Sequence, residues 1–175
     1  CIRDSLQSFT NAPFLVNTSS YNGDKGLFLK DKDGIPLVVD HFSGALKRFS
    51  DKGVKPSLTK SHTNKDGSFK TVFSLLADKY LNDKYSPKQV APQCGLSEEE
   101  IFCLAEEIAT IAFNKSLYID QEWVDFRGEK RSGFIGRPVS FHAMRGISAH
   151  SNGFQTCRAI HLLQIIIGSV DVPGG

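Results

Sequence analysis

GRPVSFHAMRGISAHSNGFQTCRAIHLLQIIIGSVDVPGG, residues 136–175, reads as strand, glycine-punctuated polar loop, helix and abrupt stop. From Pro138 to Met144, Val139, Phe141 and Ala143 fall on one face and Ser140 and His142 on the other, which predicts a strand buried on at least one side. The loop Arg145–Gly153 follows, with a glycine near each end where a Cβ would hinder the backbone or a ligand's close approach. Ser151 or Asn152 is placed to cap a helix starting near Gly153, whose open N–H groups and positive end would face back toward the loop. Phe154, Cys157, Ile160, Leu163, Ile166 and Ile167 make that helix apolar on most sides, as suits packing against a sheet. Gly168 ends it. A strand, polar loop and helix in this order is where an α/β protein holds a phosphorylated ligand.

Charge points to the same end of the chain. From residue 127 onward, Arg127, Lys130, Arg131, Arg137, Arg145 and Arg158 stand against Glu129 and Asp171, a local balance of +4. Residues 1–126 then hold 15 basic and 17 acidic groups, giving the overall +2. Positive charge gathered around a glycine loop suits phosphate or another anion.

The candidate site residues are Arg145, Gly146, His150, Asn152 and Gly153, each open to two readings. Arg145 either clamps an anion through its planar fork or makes a structural ion pair. His150 either donates to a ligand or holds the loop. Asn152 is a helix cap, a ligand contact, or both. Gly146 and Gly153 permit the loop conformation whichever ligand is present. His142 alternates with core residues and reads as structural; His161 reads as packing or solvent-facing.

The rest of the chain is legible more coarsely. Segments 26–31 and 35–40 flank Lys32-Asp-Gly34 and predict a β-hairpin. Residues 41–69 are polar and broken by Gly44, Gly53, Pro56 and Gly67, which predicts a long surface excursion. A helix is expected over Thr71–Leu81, and another at Tyr85-Ser-Pro with Pro87 in its first turn. Ser97-Glu-Glu-Glu100 is a capping box opening an amphipathic helix to about Phe113. Its acidic run reads as complement to the helix dipole plus a solvated face. Ser116–Asp120 is a further strand candidate, and Asp125–Gly136 reads as a glycine-rich polar loop. The fold class is therefore α/β, with a β-hairpin and polar excursion in the N-terminal half; residues 1–85 form a peripheral part and 86–175 an α/β ligand-binding segment.

Several classes are excluded. Cys1, Cys94, Cys103 and Cys157 form no CxxC pair or Cys/His cluster at metal-ligand spacing, so no protein-held metal is expected here. No stretch is apolar enough to span a bilayer. No GxGxxG follows a strand, and only Phe126 and Phe134 interleave with the basic residues, which argues against nicotinamide and nucleic-acid binding. A stand-alone nucleotide-binding α/β module without redox activity remains the alternative of another class.

The wording of 136–175 also resembles a segment of the catalytic large subunits of the molybdopterin oxidoreductases, the dimethyl sulfoxide reductase family. There a loop of the form [RM]-G-x3-H-x2-G leads into a helix of the form RAI-x-LL-x-LLG and a D-x-PGG turn. Ser8-Phe-Thr-Asn-Ala-Pro-Phe-Leu-Val16 resembles the family's TN-x-P-x-LV element, and the stretch Lys84–Ser97 its YSPE-containing element; Gly44–Phe69 matches least well. The resemblance implies an internal fragment of a much longer catalytic chain, and within it the α/β layers that bind molybdenum bis(molybdopterin guanine dinucleotide). An iron-sulfur centre is then expected in a part N-terminal to this one, with partner iron-sulfur and membrane-anchor subunits on the cytoplasmic or periplasmic face of a bacterial inner membrane. Arg145 and Ala149 depart from the Met and Gln common in family nitrate reductases and formate dehydrogenases. That departure steers toward the sulfur-compound branch. Sulfite oxidation is the expected activity, with polysulfide, thiosulfate or tetrathionate reduction as alternatives and a small sulfur oxyanion as substrate.

Overall fold

The computed structural model describes residues 2–19, 23–125 and 128–170. Apart from its first two residues, the chain divides into two compact units, one over Arg3–Val90 and one from Ala91 onward. The architecture is mixed α/β, with every strand ladder antiparallel. Cys1, Phe126, Arg127 and the expected D-x-PGG turn at 171–175 lie outside the described residues.

In the first unit, helix α1 (Ile2–Phe9) leads into β1 (Leu15–Asn17), which pairs with β5 (Gly67–Thr71). β5 also pairs with β4 (His62–Asn64), while β2 (Leu37–Val39) and β3 (Leu46–Arg48) form a second, two-stranded sheet. Leu15, Val39 and Phe69 make the buried core, with Leu29 and Leu46 packed on it. Leu29 joins the two sheets: its N–H donates to the Leu15 carbonyl (2.8 Å) and its own carbonyl accepts from Leu37 (3.0 Å). The expected hairpin is present in short form. Lys30 bridges Pro36 across a turn in which Gly34 adopts φ +80°, a conformation that a side chain would strain.

Residues 41–69 lie largely at the surface, as expected, but they are not without regular structure. They hold β3, β4 and most of β5, and bury Ser57 and Leu58. Buried Asp40 organises their start by accepting from Ser43 Oγ (2.6 Å), Ser43 N–H (3.1 Å), Lys47 Nζ (3.1 Å) and Lys55 N–H (3.2 Å). The Ser43 hydroxyl and amide, followed by Lys47, hold its carboxyl well below the usual range, so it stays a charged acceptor throughout neutral pH. Such a hub replaces the long hydrophobic strands that sequence periodicity would detect. Thr71 caps α2 (Val72–Tyr80) by accepting from the Ser74 N–H (3.1 Å), and α3 (Pro87–Cys94) starts at Pro87 as expected.

The second unit opens with α4 (Glu98–Asn114), and its capping box forms as the sequence predicts. The Ser97 N–H donates to the Glu100 carboxylate (2.7 Å) and the Glu100 N–H to Ser97 Oγ (3.2 Å). Hydrogen bonding of the carboxylate to the Ser97 backbone N–H, and then to its hydroxyl, lowers the Glu100 pKa. β6 (Leu117–Val124) pairs with β7 (Lys130–Gly136), so the expected loop Asp125–Gly136 is largely a strand. Cross-strand partners override its glycines and charges: Trp123 packs edge-on against Phe134, and Arg131 reaches back to buried Asp125 (2.9 and 3.1 Å) and to Glu129 (2.7 Å). Helix α5 (Gly153–Ile167) packs on α4 and ends at Gly168 in the left-handed conformation, φ +72°.

The expected strand Pro138–Met144 is not formed. Its residues lie in no regular element: the Val139 N–H closes a tight turn onto the Arg137 carbonyl (2.8 Å), and no neighbouring strand among the described residues offers a ladder. The expected alternation of burial holds only in part: Val139 and Phe141 are half-buried and Ser140 and His142 exposed, but Ala143, expected on the buried face, is exposed.

Candidate functional site

The segment 141–148 and the flank of α5 enclose a groove of about 490 Å³, all of it within the second unit. Two turns of local structure create it. Residues Arg145–Ser148 coil into a 3-10 turn, closed by the Ser148 hydroxyl donating to the Arg145 carbonyl (3.0 Å). Gly153 then lets α5 start directly beneath that turn: a Cβ here would lie 2.3 Å from the Ser148 carbonyl oxygen. Gly146 needs no such allowance, since a Cβ there would meet nothing within 4 Å and its φ is not positive. The two loop glycines, read alike from sequence, therefore differ. Gly153 is required by backbone proximity; Gly146 leaves open space.

Apolar Phe141, Ile147 and Ile160 line the groove together with the softer Met144 and Cys157. His142, Arg145, His161 and Gln164 supply its polar atoms. His161 and Gln164, three apart on one helix face, meet at 3.1 Å; with the Gln164 amide oxygen accepting, the proton sits on His161 Nδ1 and Nε2 is left as the ring's second site. Among the described residues the Arg145 guanidinium has no ion-pair or hydrogen-bond partner. An unpaired guanidinium beside apolar walls suits an anionic group carried on a ring or chain that can use those walls.

The other sequence candidates are not gathered here. His150 and Asn152 are exposed and outside the groove lining, and Gly146 is exposed. Asn152 holds the N-cap position of α5, but its side chain makes no capping bond. The Gly153 N–H donates to the His150 carbonyl (3.0 Å), which leaves the amides of Phe154 and Gln155 open at that end. Part of the basic excess is spent on structure: Arg131 pairs with Asp125 and Glu129, and Arg137 donates to the Ala112 carbonyl (2.8 Å). Among the described residues, Lys130, Arg145 and Arg158 carry the charge of the region that no acid pairs.

Three groove residues are not legible as such in the sequence: His142, His161 and Gln164. A signal is present, because Cys157, Ile160, His161 and Gln164 recur at helical spacing and so form one stripe of α5. Which stripe faces an irregular segment is set only by the fold. Cys94, Cys103 and Cys157 form no disulfide, and Cys103 is exposed rather than packed. Among the described residues no cluster of three or more His, Cys, Asp or Glu is placed to hold a metal, and no helix is long and apolar enough to cross a membrane.

No protein-family model and no solved structure matches the chain. The chain spans about a fifth of the length of a curated relative it matches, 19%, with the alignment covering 99% of its own residues. That relative, to which this chain is similar at 34% identity over 185 aligned residues, is a sulfite dehydrogenase subunit from Allochromatium vinosum.

Proposed function

We propose that this chain is a segment of the catalytic subunit of a molybdenum-dependent oxidoreductase that oxidises a small inorganic sulfur compound, sulfite above all. Similarity along nearly the whole chain to a protein named as part of a sulfite dehydrogenase carries the reading. The groove supports it from the chemical side, since Arg145 offers an unpaired cationic fork next to apolar walls. Those residues fit the organic, anionic part of a molybdopterin guanine dinucleotide. They do not fit a metal ion held by protein ligands, and none is assigned to them.

In this reading Arg145 binds an anionic oxygen of the cofactor, and Phe141, Ile147 and Ile160 exclude water from the contact. Removing water matters because a charge-assisted hydrogen bond strengthens as the local dielectric falls. Gly153 fixes the distance between the Arg145 turn and α5. When bound, the cofactor supplies a two-electron centre able to exchange an oxygen atom with the substrate. Sulfite plus water then yields sulfate, two protons and two electrons, the electrons leaving through an iron-sulfur centre outside this segment. The proposed partners are two further subunits, one holding iron-sulfur clusters and one anchoring the complex to the membrane. The relative is itself named as one subunit, which is consistent with an assembly.

Turnover by the purified full-length enzyme tests the substrate. With sulfite and an artificial electron acceptor, sulfate is expected to appear in equal amount to the electron pairs transferred. Absence of sulfite oxidation together with reduction of thiosulfate, tetrathionate or polysulfide by a reduced dye would move the assignment to a reductase. Inactivity toward all of them would end the sulfur reading.

A further inference from the structure

We propose that the tip of the β2–β3 hairpin is a peripheral contact for an anionic lipid surface, in which Phe42 enters the interface and Lys55 and Lys60 meet headgroup phosphates. The backbone builds the tip. The Asp40 N–H donates to the Ala45 carbonyl (2.9 Å) and the Gly44 N–H to the Asp40 carbonyl (2.9 Å), which closes residues 41–44 into a loop at the end of the hairpin. Gly44 completes the turn at φ +71°. Phe42 stands on this loop 79% exposed, with the His41 ring edge-on to it at 5.3 Å. The residues that follow, Ser43, Gly44 and Ala45, are exposed and too small to surround it with an apolar patch.

Cations distant in sequence converge on the same loop. The His41 N–H donates to the Lys55 carbonyl (2.7 Å) and Lys60 Nζ to the His41 carbonyl (2.8 Å), so both lysines attach at the residue next to Phe42. Residues 41–60 hold Lys47, Arg48, Lys52, Lys55 and Lys60 against Asp51 alone, a balance of +4, whereas residues 1–126 as a whole stand at −2. Lys47 pairs with Asp40, and Arg48 with Asp31 and Asp33. Among the described residues no acid pairs Lys52, Lys55 or Lys60, and all three are exposed. That the free cations are lysines decides the kind of partner. Protein interfaces favour arginine and are depleted of lysine, whereas a headgroup layer lets an ammonium keep its water while its charge meets phosphate. An apolar anchor too weak to hold alone, joined to a basic patch, is how a chain that does not span a bilayer stays on its surface. The inference rests on the charge and exposure of the first unit, not on the identity of the cofactor.

Flotation of the full-length protein with vesicles tests this, one set of phosphatidylcholine alone and one of equal parts phosphatidylcholine and phosphatidylglycerol. Partition is expected to favour the mixed vesicles and to fall as salt is raised. Each lysine near an anionic surface strengthens binding by about fivefold, so joint Lys55→Gln and Lys60→Gln should weaken partition roughly 25-fold. Phe42→Ser should weaken it several-fold and Phe42→Leu much less. Melting temperatures should not change, because all three side chains are exposed. Joint Lys79→Gln and Lys84→Gln is the control: it removes the same charge from exposed lysines that lie over the Tyr80 and Tyr85 rings, and should cost little. Equal partition into both kinds of vesicle would overturn the inference, as would wild-type partition by the Phe42, Lys55 and Lys60 variants. Loss of a co-purifying acidic protein from those variants, without vesicle binding by the wild type, would also overturn it and make the surface a protein interface.

Discussion

Replacing Arg145 with alanine in the full-length enzyme is expected to weaken cofactor retention by roughly tenfold to a hundredfold, corresponding to about 1.5–3 kcal/mol for a charge-assisted hydrogen bond. The fold should survive. Arg145 is exposed, its guanidinium partners no other described residue, and its backbone carbonyl keeps the Ser148 hydroxyl whatever the side chain. Arg145→Lys is expected to restore only part of the affinity, because an ammonium keeps the charge and loses the planar fork. Arg158→Ala serves as control: it removes the same charge from exposed α5 surface outside the groove lining. Cofactor content per polypeptide, read beside thermal stability, checks the set. Equal content in the wild type and Arg145→Ala would remove Arg145 from the site.

Gly153→Ala is expected to destabilise the same region by about 1–3 kcal/mol, the usual cost of forcing extra volume into a tight contact. Helix propensity alone argues for the opposite sign, since alanine is favoured over glycine within helices by about 1 kcal/mol. Backbone proximity decides. The added carbon would stand 2.3 Å from the Ser148 carbonyl oxygen and 2.6 Å from its carbon, and neither is a flexible group that can swing aside. The Arg145–Ser148 turn must therefore lift from α5, taking Arg145 with it. Gly146→Ala, with open space around its Cβ, should leave the melting temperature unchanged. An unchanged or raised melting temperature for Gly153→Ala would show that the turn does not sit where the structure places it.

What the sequence reveals here follows how local each determinant is. Ser97 and Glu100, Gly34 and Gly168 act within a few residues of themselves, and this capping box, turn and helix stop stand where the sequence places them. Strands depend on distant partners. β7 is hidden by glycines and charges whose meaning comes only from Trp123 and Asp125 across the ribbon. The three-residue strands β3 and β4 depend on β2 and β5 as partners, and neither pairing is visible as periodicity. For Pro138–Met144 the pattern of a strand is clear, and the partner is what the described residues lack. At the candidate site the same division holds: Arg145 stands out through its loop position, whereas the facing stripe of α5 requires the fold.

The central claim, that the groove belongs to a molybdopterin-dependent enzyme, is tested most directly by metal analysis and cofactor extraction of the full-length protein, purified in an active state. About one molybdenum or tungsten per polypeptide, released together with two equivalents of pyranopterin guanine dinucleotide, is the expected result. Sulfite turnover by a preparation containing neither the metal nor the pterin would contradict it.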